Sequence, residues 1–122
     1  MGLNRVKTFR DLVVWQKAHS LVLEIYKISK TFPSDEKFGL ISQVRRSASS
    51  VATNIVEGYK KKGNKEFLHF LNIADCSLEE TKYHLLLSKD LDYLDQDDFD
   101  RLLSSCDEIG RMLFKLQQSL SE

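Results

Sequence analysis

Apolar residues recur at helical spacing through almost the whole chain, in four stretches separated by short polar segments. Their positions predict helices at about residues 11–32, 35–57, 65–91 and 96–121. The last stretch has the most regular pattern, a heptad-like seam formed by Phe99, Leu102, Cys106, Ile109, Leu113, Leu116 and Leu120. Four amphipathic helices with short connections predict an all-α fold, an up-down-up-down antiparallel four-helix bundle that spans residues 1–122 as one domain.

Residues with strong conformational preferences mark the predicted helix ends. Pro33 ends the first helix, because the residue before a proline is disfavoured from the α conformation. Ser34, Asn64 and Asp95 are expected to cap the next three helices, because their side chains accept hydrogen bonds from free backbone N–H groups. Gly58 is expected to close the second helix in the left-handed conformation that glycine adopts without strain.

Three features of the predicted helices concern their packing. Gly110 interrupts the fourth helix at a cost of about 1 kcal/mol relative to alanine, and a close helix crossing would explain it. The second helix has a simple inner face, which consists of Leu40, Val44, Ala48, Val51 and Ile55. The apolar arcs of the first and third helices are wider than one neighbouring helix can cover, so a monomer would expose an apolar patch. This excess of apolar surface on the first and third helices therefore indicates self-association.

The composition and charge of the chain restrict its class. A length of 122 residues, with 42% hydrophobic and 30% charged residues, fits one soluble globular domain. Lys and Arg total 18, as do Asp and Glu, yet residues 39–63 are basic and residues 89–108 are acidic. The neutral total weakens the case for generic nucleic-acid binding, and the uneven distribution suits subunits that pair basic with acidic faces. The chain has neither a signal-peptide apolar core nor a run long enough to span a membrane, so we expect a cytoplasmic protein without a membrane partner.

No group of residues indicates catalysis or metal binding. His19, His69 and His84 lack the i, i+4 spacing of a helical metal site, and no C-x-x-C or H-E-x-x-H motif is present. Cys76 and Cys106 lie at core spacing and are expected to be inert buried thiols. Phosphate-loop and dinucleotide fingerprints are absent. The sequence therefore predicts a protein that is not an enzyme and uses no metal and no cofactor.

The stretch QVRRSASSVATNIVEG (residues 43–58) combines paired arginines with a run of small side chains. On a helix, Arg46, Ser50, Asn54 and Glu57 share one polar line, and Arg45 lies beside it. Three interpretations stay open: a solvated face, a subunit contact in which small side chains let another helix approach, and phosphate binding together with the following lysine loop. For the lysines alone, a solvated loop is a further alternative. The candidate nucleic-acid or subunit contact residues are Arg45, Arg46, Ser50, Asn54, Glu57, Lys60, Lys61 and Lys62.

Several segments of the chain occur, in the same order, in a known family of bacterial proteins. These segments are FRDLVVWQKA (9–18), FP (32–33), FGLISQVRRSA (38–48), NIVEG (54–58), EFLHFLNIA (66–74) and SLEE (77–80). On these residues the chain resembles, over nearly its whole length, the bacterial four-helix bundle family also called 23S rRNA intervening sequence proteins.

The resemblance implies a small bundle that assembles as a ring, with pentamers as the known pattern. A related branch is the accessory variability protein of diversity-generating retroelements, which works with a reverse transcriptase and binds nucleic acid through basic ring surfaces. The resemblance brings no catalytic residues. Ala52 stands where relatives often carry a proline, and the neutral total charge differs from the basic retroelement proteins. A reverse transcriptase is therefore implied as a partner by distant analogy only.

Pattern and resemblance together predict a non-enzymatic, homo-oligomeric helical-bundle scaffold or adaptor, a pentamer by resemblance, in an RNA- or DNA-associated complex. The alternative is a purely structural or protein-interaction module without nucleic-acid affinity. A third alternative is an enzyme whose site lies at a subunit interface.

Overall fold

The computed structural model describes residues 5–121, which are largely helical. The helices are α1 (Val13–Ser29), α2 (Leu40–Lys60), α3 (Asn64–Asp90) and α4 (Gln96–Ser121). Short 3₁₀ turns at Phe9–Asp11 and Ser34–Glu36 precede α1 and α2. The described part of the chain contains no strand, so the predicted all-α four-helix fold is confirmed.

Side-chain contacts show that neighbouring helices run antiparallel. Between α2 and α3, Ser47 pairs with Thr81 and Ser50 pairs with Ser77, so the residue number falls along α3 as it rises along α2. Two ion pairs between α1 and α4 reverse in the same way: Lys17–Glu108 and Glu24–Arg101. Each helix packs against two others, in the cyclic order α1, α2, α3, α4, as in an up-down-up-down bundle.

The core consists of the apolar positions that the helical pattern selects. Every residue of the predicted α4 seam is buried, and so is the predicted inner face of α2. The outer sides of α1 and α3 carry exposed apolar side chains, which are Leu23 and Tyr26 on α1 and Tyr83 and Leu86 on α3. The described chain thus leaves apolar side chains uncovered on both helices for which the pattern predicts an excess.

The start of α2 differs from the prediction. The helix begins at Leu40 rather than at residue 35, and Ser34 lies inside a 3₁₀ turn where its side chain makes no cap. Glu36 has that role instead, since its Oε1 accepts a hydrogen bond from the backbone N–H of Leu40 at 3.1 Å. α1 ends at Ser29, and hydrogen-bonded turns continue the chain as far as Phe32.

The glycines have different roles from those predicted. Gly58 is not the left-handed closing residue, because α2 continues to Lys60 and the glycine with positive φ (89°) is Gly63. Gly58 instead permits a close helix crossing, where an added Cβ would lie 2.8 Å from Cβ of Phe70. At Gly110 the added Cβ would lie 3.6 Å from Leu78, an ordinary contact, so the close crossing predicted there is wrong.

The predicted caps of α3 and α4 have opposite outcomes. Asp95 caps α4 as predicted, because its Oδ1 accepts from the backbone N–H of Asp98 at 2.8 Å. Asn64 is the first residue of α3 and does not cap it. Its side-chain Nδ2 donates to the carbonyl oxygen of Leu120 at 3.2 Å, which ties the start of α3 to the end of α4.

The two cysteines are not equivalent. Cys106 is fully buried, and burial raises the pKa of its thiol to about 12. Cys76 lies on the outer side of α3 and is exposed, so the prediction of two buried thiols is wrong for this residue. Apolar spacing did not distinguish them, because α3 carries apolar residues around a wide arc.

Candidate functional site

Two of the predicted contact residues on α2 belong to the packing between α2 and α3. The Ser50 hydroxyl lies 2.8 Å from that of Ser77. The Asn54 amide donates to the carbonyl oxygen and to the hydroxyl of Ser50, at 2.8 and 3.0 Å. These small polar side chains satisfy one another where the helices approach closely. Both residues are thus used within the chain.

A second pair of hydroxyls extends this polar contact from the middle of the two helices toward the start of α2 and the end of α3. The Thr81 hydroxyl lies 2.9 Å from that of Ser47 and donates to the carbonyl oxygen of Ser77 at 2.8 Å. Thr81 and Ser47 are buried, and each hydroxyl also has a carbonyl partner in its own helix, Ser77 for Thr81 and Val44 for Ser47. The run of small residues in α2 therefore accommodates α3 of the same chain.

Arg45 binds the C-terminal end of α1. Its Nε donates to the hydroxyl of Ser29 at 2.8 Å, and its Nη2 donates to the carbonyl oxygen of Tyr26 at 3.2 Å. The guanidinium group also lies 4.6 Å from the centre of the Tyr26 ring. Helix C-termini present free carbonyl groups and partial negative charge, which a cation stabilises. Arg45 is therefore a structural residue, whereas the adjacent Arg46 is exposed and makes no ion pair within residues 5–121.

The lysine loop lies at the opposite end of α2, together with the N-terminal segment. The hydroxyl of Tyr59 donates to the carbonyl oxygen of Val6 at 3.4 Å, which brings the two segments side by side. We call this end of the bundle the basic pole, formed by Arg5, Lys7, Arg10, Lys60, Lys61, Lys62 and Lys65. Arg46 lies about 20 Å away along α2, given a rise of about 1.5 Å per residue. The arginine pair and the lysines therefore do not form one strip.

The charges of the basic pole are largely accessible. All its cationic residues are exposed, and only Lys61 has an aromatic neighbour, with its ammonium group 5.2 Å from the Phe70 ring centre. The nearby Asp11 carboxylate is occupied, since it accepts hydrogen bonds from the backbone N–H groups of Lys7 and Thr8 at 3.0 and 3.1 Å. These two bonds lower the pKa of Asp11. Glu57 is exposed near this end.

The other end of the bundle is acidic. We call it the acidic pole, formed by Asp35, Glu36, Asp90, Asp92, Asp95 and Asp97. The hydroxyl of Tyr93 donates to Oε2 of Glu36 at 3.0 Å and so joins the two loops of this pole. That hydrogen bond raises the pKa of Tyr93.

An apolar depression runs between the outer sides of α3 and α4. Toward its basic end, a cavity of about 560 Å³ has Gly110 and Phe114 in its lining, and Phe114 is 64% exposed. The lining also has three cationic residues, Lys82, Arg111 and Lys115, and one acidic residue, Asp107. We call this cavity the α3–α4 groove.

The described residues hold few other candidate sites. Between residues 5 and 121, no three His, Cys, Asp or Glu side chains are grouped as metal ligands would be. Over the same range, no helix has the length and apolar character needed to cross a membrane.

Comparison with known proteins places the chain in a family. A family model described as 23S rRNA-intervening sequence protein matches residues 10–115. The chain belongs to this family. The family that the sequence motifs indicated is therefore confirmed.

A solved structure supports the same assignment. The chain is similar to a crystal structure of a protein of unknown function from the S23 ribosomal protein family of Bacteroides thetaiotaomicron. The two share 25% sequence identity with a TM-score of 0.77, over 85% of this chain and 97% of the other. The curated proteins compared with the chain include no match.

The N-terminal cations of the basic pole are not among the contact residues that the sequence predicts. Arg5, Lys7 and Arg10 are far in sequence from the lysine loop, and only the antiparallel order of α1 and α2 brings them beside it. A signal was available, because an up-down bundle places the start of its first helix beside the end of its second.

Proposed function

We propose that the chain is a non-enzymatic, self-associating helical scaffold that binds RNA or DNA phosphates through its basic pole. The observation that carries this proposal is the gathering of exposed cations from three chain segments at one end of the bundle. The description of the family, which refers to an intervening sequence of 23S rRNA, supports an RNA-related role.

The chemistry of the pole favours contact with the nucleic-acid backbone over reading of bases. Most of its cations are exposed lysines on turns or near helix ends, and flexible ammonium groups bind phosphate as point charges. Phosphate contacts release counterions, so the affinity should fall steeply as salt rises and depend little on nucleotide sequence.

Fluorescence anisotropy with a labelled structured RNA and a labelled duplex DNA, at low and near-physiological salt, tests this proposal. The test variant is Lys60→Gln/Lys61→Gln/Lys62→Gln, which removes charge only at the basic pole. If each lysine contacts one duplex phosphate, the slope of log affinity against log salt should decrease by about 2 to 3.

The chain offers a control variant with the same change in net charge. Lys27, Lys30 and Lys37 are exposed and lie toward the acidic pole. The variant Lys27→Gln/Lys30→Gln/Lys37→Gln should keep the wild-type affinity and salt slope. Equal losses in both triple variants would point to net charge alone, and absence of binding at low salt would refute the nucleic-acid proposal.

The alternative function is a protein-interaction module without nucleic-acid affinity. The exposed apolar side chains along α3 and α4 favour it, because surfaces of this kind commonly mark protein interfaces.

Self-association is common to both proposals, and the resemblance implies a ring of five copies. Multi-angle light scattering of the wild-type chain at micromolar concentration tests it, and a mass of one chain, 14.1 kDa, would refute it.

A further inference from the structure

Phe38 is the most exposed of the large apolar residues in the described chain. It lies in the turn between the Ser34–Glu36 segment and α2, and 88% of its surface is accessible. The ammonium group of Lys37, the preceding residue, lies 5.5 Å from the centre of its ring. An aromatic ring held at the tip of a turn without apolar cover is suited to insertion into a pocket of another molecule.

Gly110 is a second feature that packing within the chain does not explain. A methyl group there would make only an ordinary contact with Leu78, so alanine would fit and would favour the helix. Glycine at this position instead leaves the floor of the α3–α4 groove open. The groove has a volume of about 560 Å³, and Phe114 lines it as an exposed apolar residue.

The charges around these two features are complementary. Within the groove, Lys82 and Asp107 form an ion pair at 3.1 Å and offset each other. Arg111 and Lys115 are exposed and form no ion pair within residues 5–121, so the groove is net positive. Phe38 lies at the acidic pole beside Asp35 and Glu36, and Lys37 is the cation next to its ring, so the carboxylates of the pole and not the immediate neighbour of Phe38 provide the complementary charge. Complementary charge of this kind favours one orientation of approach and suppresses others.

Phe38 cannot reach the groove of its own chain. It lies at the acidic pole, where α4 begins, whereas Gly110 lies about 20 Å further along α4. We infer that Phe38 of one copy docks into the α3–α4 groove, at Gly110, of a second copy. The inference rests on the proposed self-association and names the two surfaces that would produce it. Because these surfaces differ, the contact is head-to-tail, and repetition of it closes a ring if the rotation between copies allows.

Four variants test this contact by light scattering, with circular dichroism as a check of folding. Phe38→Ala removes the inserted ring, and Gly110→Trp fills the groove. Arg111→Glu/Lys115→Glu reverses the charge of the groove at exposed positions and so leaves the core intact. Leu23→Ala, at an apolar position that is 57% exposed on α1, is the matched control. The first three variants should lose assembly, and Leu23→Ala should keep the wild-type mass.

Mixing two of the variants gives the sharpest result. Phe38→Ala retains an intact groove and Gly110→Trp retains an intact Phe38, so an equimolar mixture should form a particle of two chains and none larger. Retention of wild-type assembly by the Phe38→Ala and the Arg111→Glu/Lys115→Glu variants would overturn the inference while leaving self-association in place. Loss of assembly in Leu23→Ala alone would also overturn it. A monomeric wild type would refute the proposed self-association itself.

Discussion

Replacement of Gly58 by alanine perturbs the crossing of α2 and α3 at a defined point. The new Cβ would lie 2.8 Å from Cβ of Phe70 and 2.9 Å from Cδ1 of Phe67. Rotation of the Phe67 ring can relieve the second contact, but Cβ of Phe70 is fixed to the backbone of α3, so the helices must separate. Overpacking of this kind costs about 1–3 kcal/mol. Removal of a helical glycine contributes about 1 kcal/mol in the opposite direction. The net loss of unfolding free energy should therefore be about 1 kcal/mol.

Gly110→Ala is the same substitution in another helix and serves as the control. Its new Cβ would lie 3.6 Å from Leu78, so only the gain in helix propensity remains, and the chain should become more stable by about 1 kcal/mol. Urea unfolding followed by circular dichroism measures both effects, at a concentration where light scattering gives all chains the same assembly state. If Gly58→Ala proves as stable as Gly110→Ala, the spacing of α2 and α3 does not depend on Gly58.

Three further predictions concern the arginine pair and the cysteines. Arg45→Ala should lower the unfolding free energy by about 1 kcal/mol, because it removes hydrogen bonds to the end of α1, whereas Arg46→Ala should change it by less than about 0.5 kcal/mol in the same urea assay. Iodoacetamide should alkylate Cys76 in the native protein and Cys106 only after unfolding, as peptide mass spectrometry would show. Burial raises the pKa of Cys106 from 9.0 to about 12, so the buried thiol contributes fully to stability below pH 9 and this contribution is lost as the pH rises to 12. The unfolding free energy of the wild type should therefore fall between pH 9 and pH 12 by more than that of Cys106→Ala.

The sequence predicted the fold well where a helix packs on one side only. The seam of α4 is buried at every predicted position, because a regular heptad spacing leaves one choice of inner face. Helix ends were predicted less well. Ser34 and Asn64 have the residue type of a cap, but Glu36 caps α2 and the Asn64 side chain binds the end of α4. The first outcome is local, because Glu36 lies four residues before Leu40, whereas the second depends on a contact between α3 and α4 that local preference does not contain.

The candidate contact residues fall into two groups, those that pack within the chain and those that stay exposed. Residue type and helical spacing identified the polar line on α2 but not its partners, which are Ser77 of α3 for Ser50 and Ser50 of the same helix for Asn54. Arg45 is likewise occupied by α1. The lysine loop stayed exposed, and topology added the N-terminal cations to it. A linear pattern cannot distinguish an internal helix contact from an external one, because both require small polar side chains on one face.

Separation of charge between the two poles gives this electrically neutral chain a dipole moment along the bundle axis. The poles are about 40 Å apart, the length of α4 at a rise of about 1.5 Å per residue. An isoelectric point near 6.8 therefore conceals the field that a neighbouring molecule would experience. At neutral pH and low salt the chain should be retained by both cation- and anion-exchange resins, each binding the opposite end. Near a polyanion it should turn end-on before contact, so that its orientation is selected during approach.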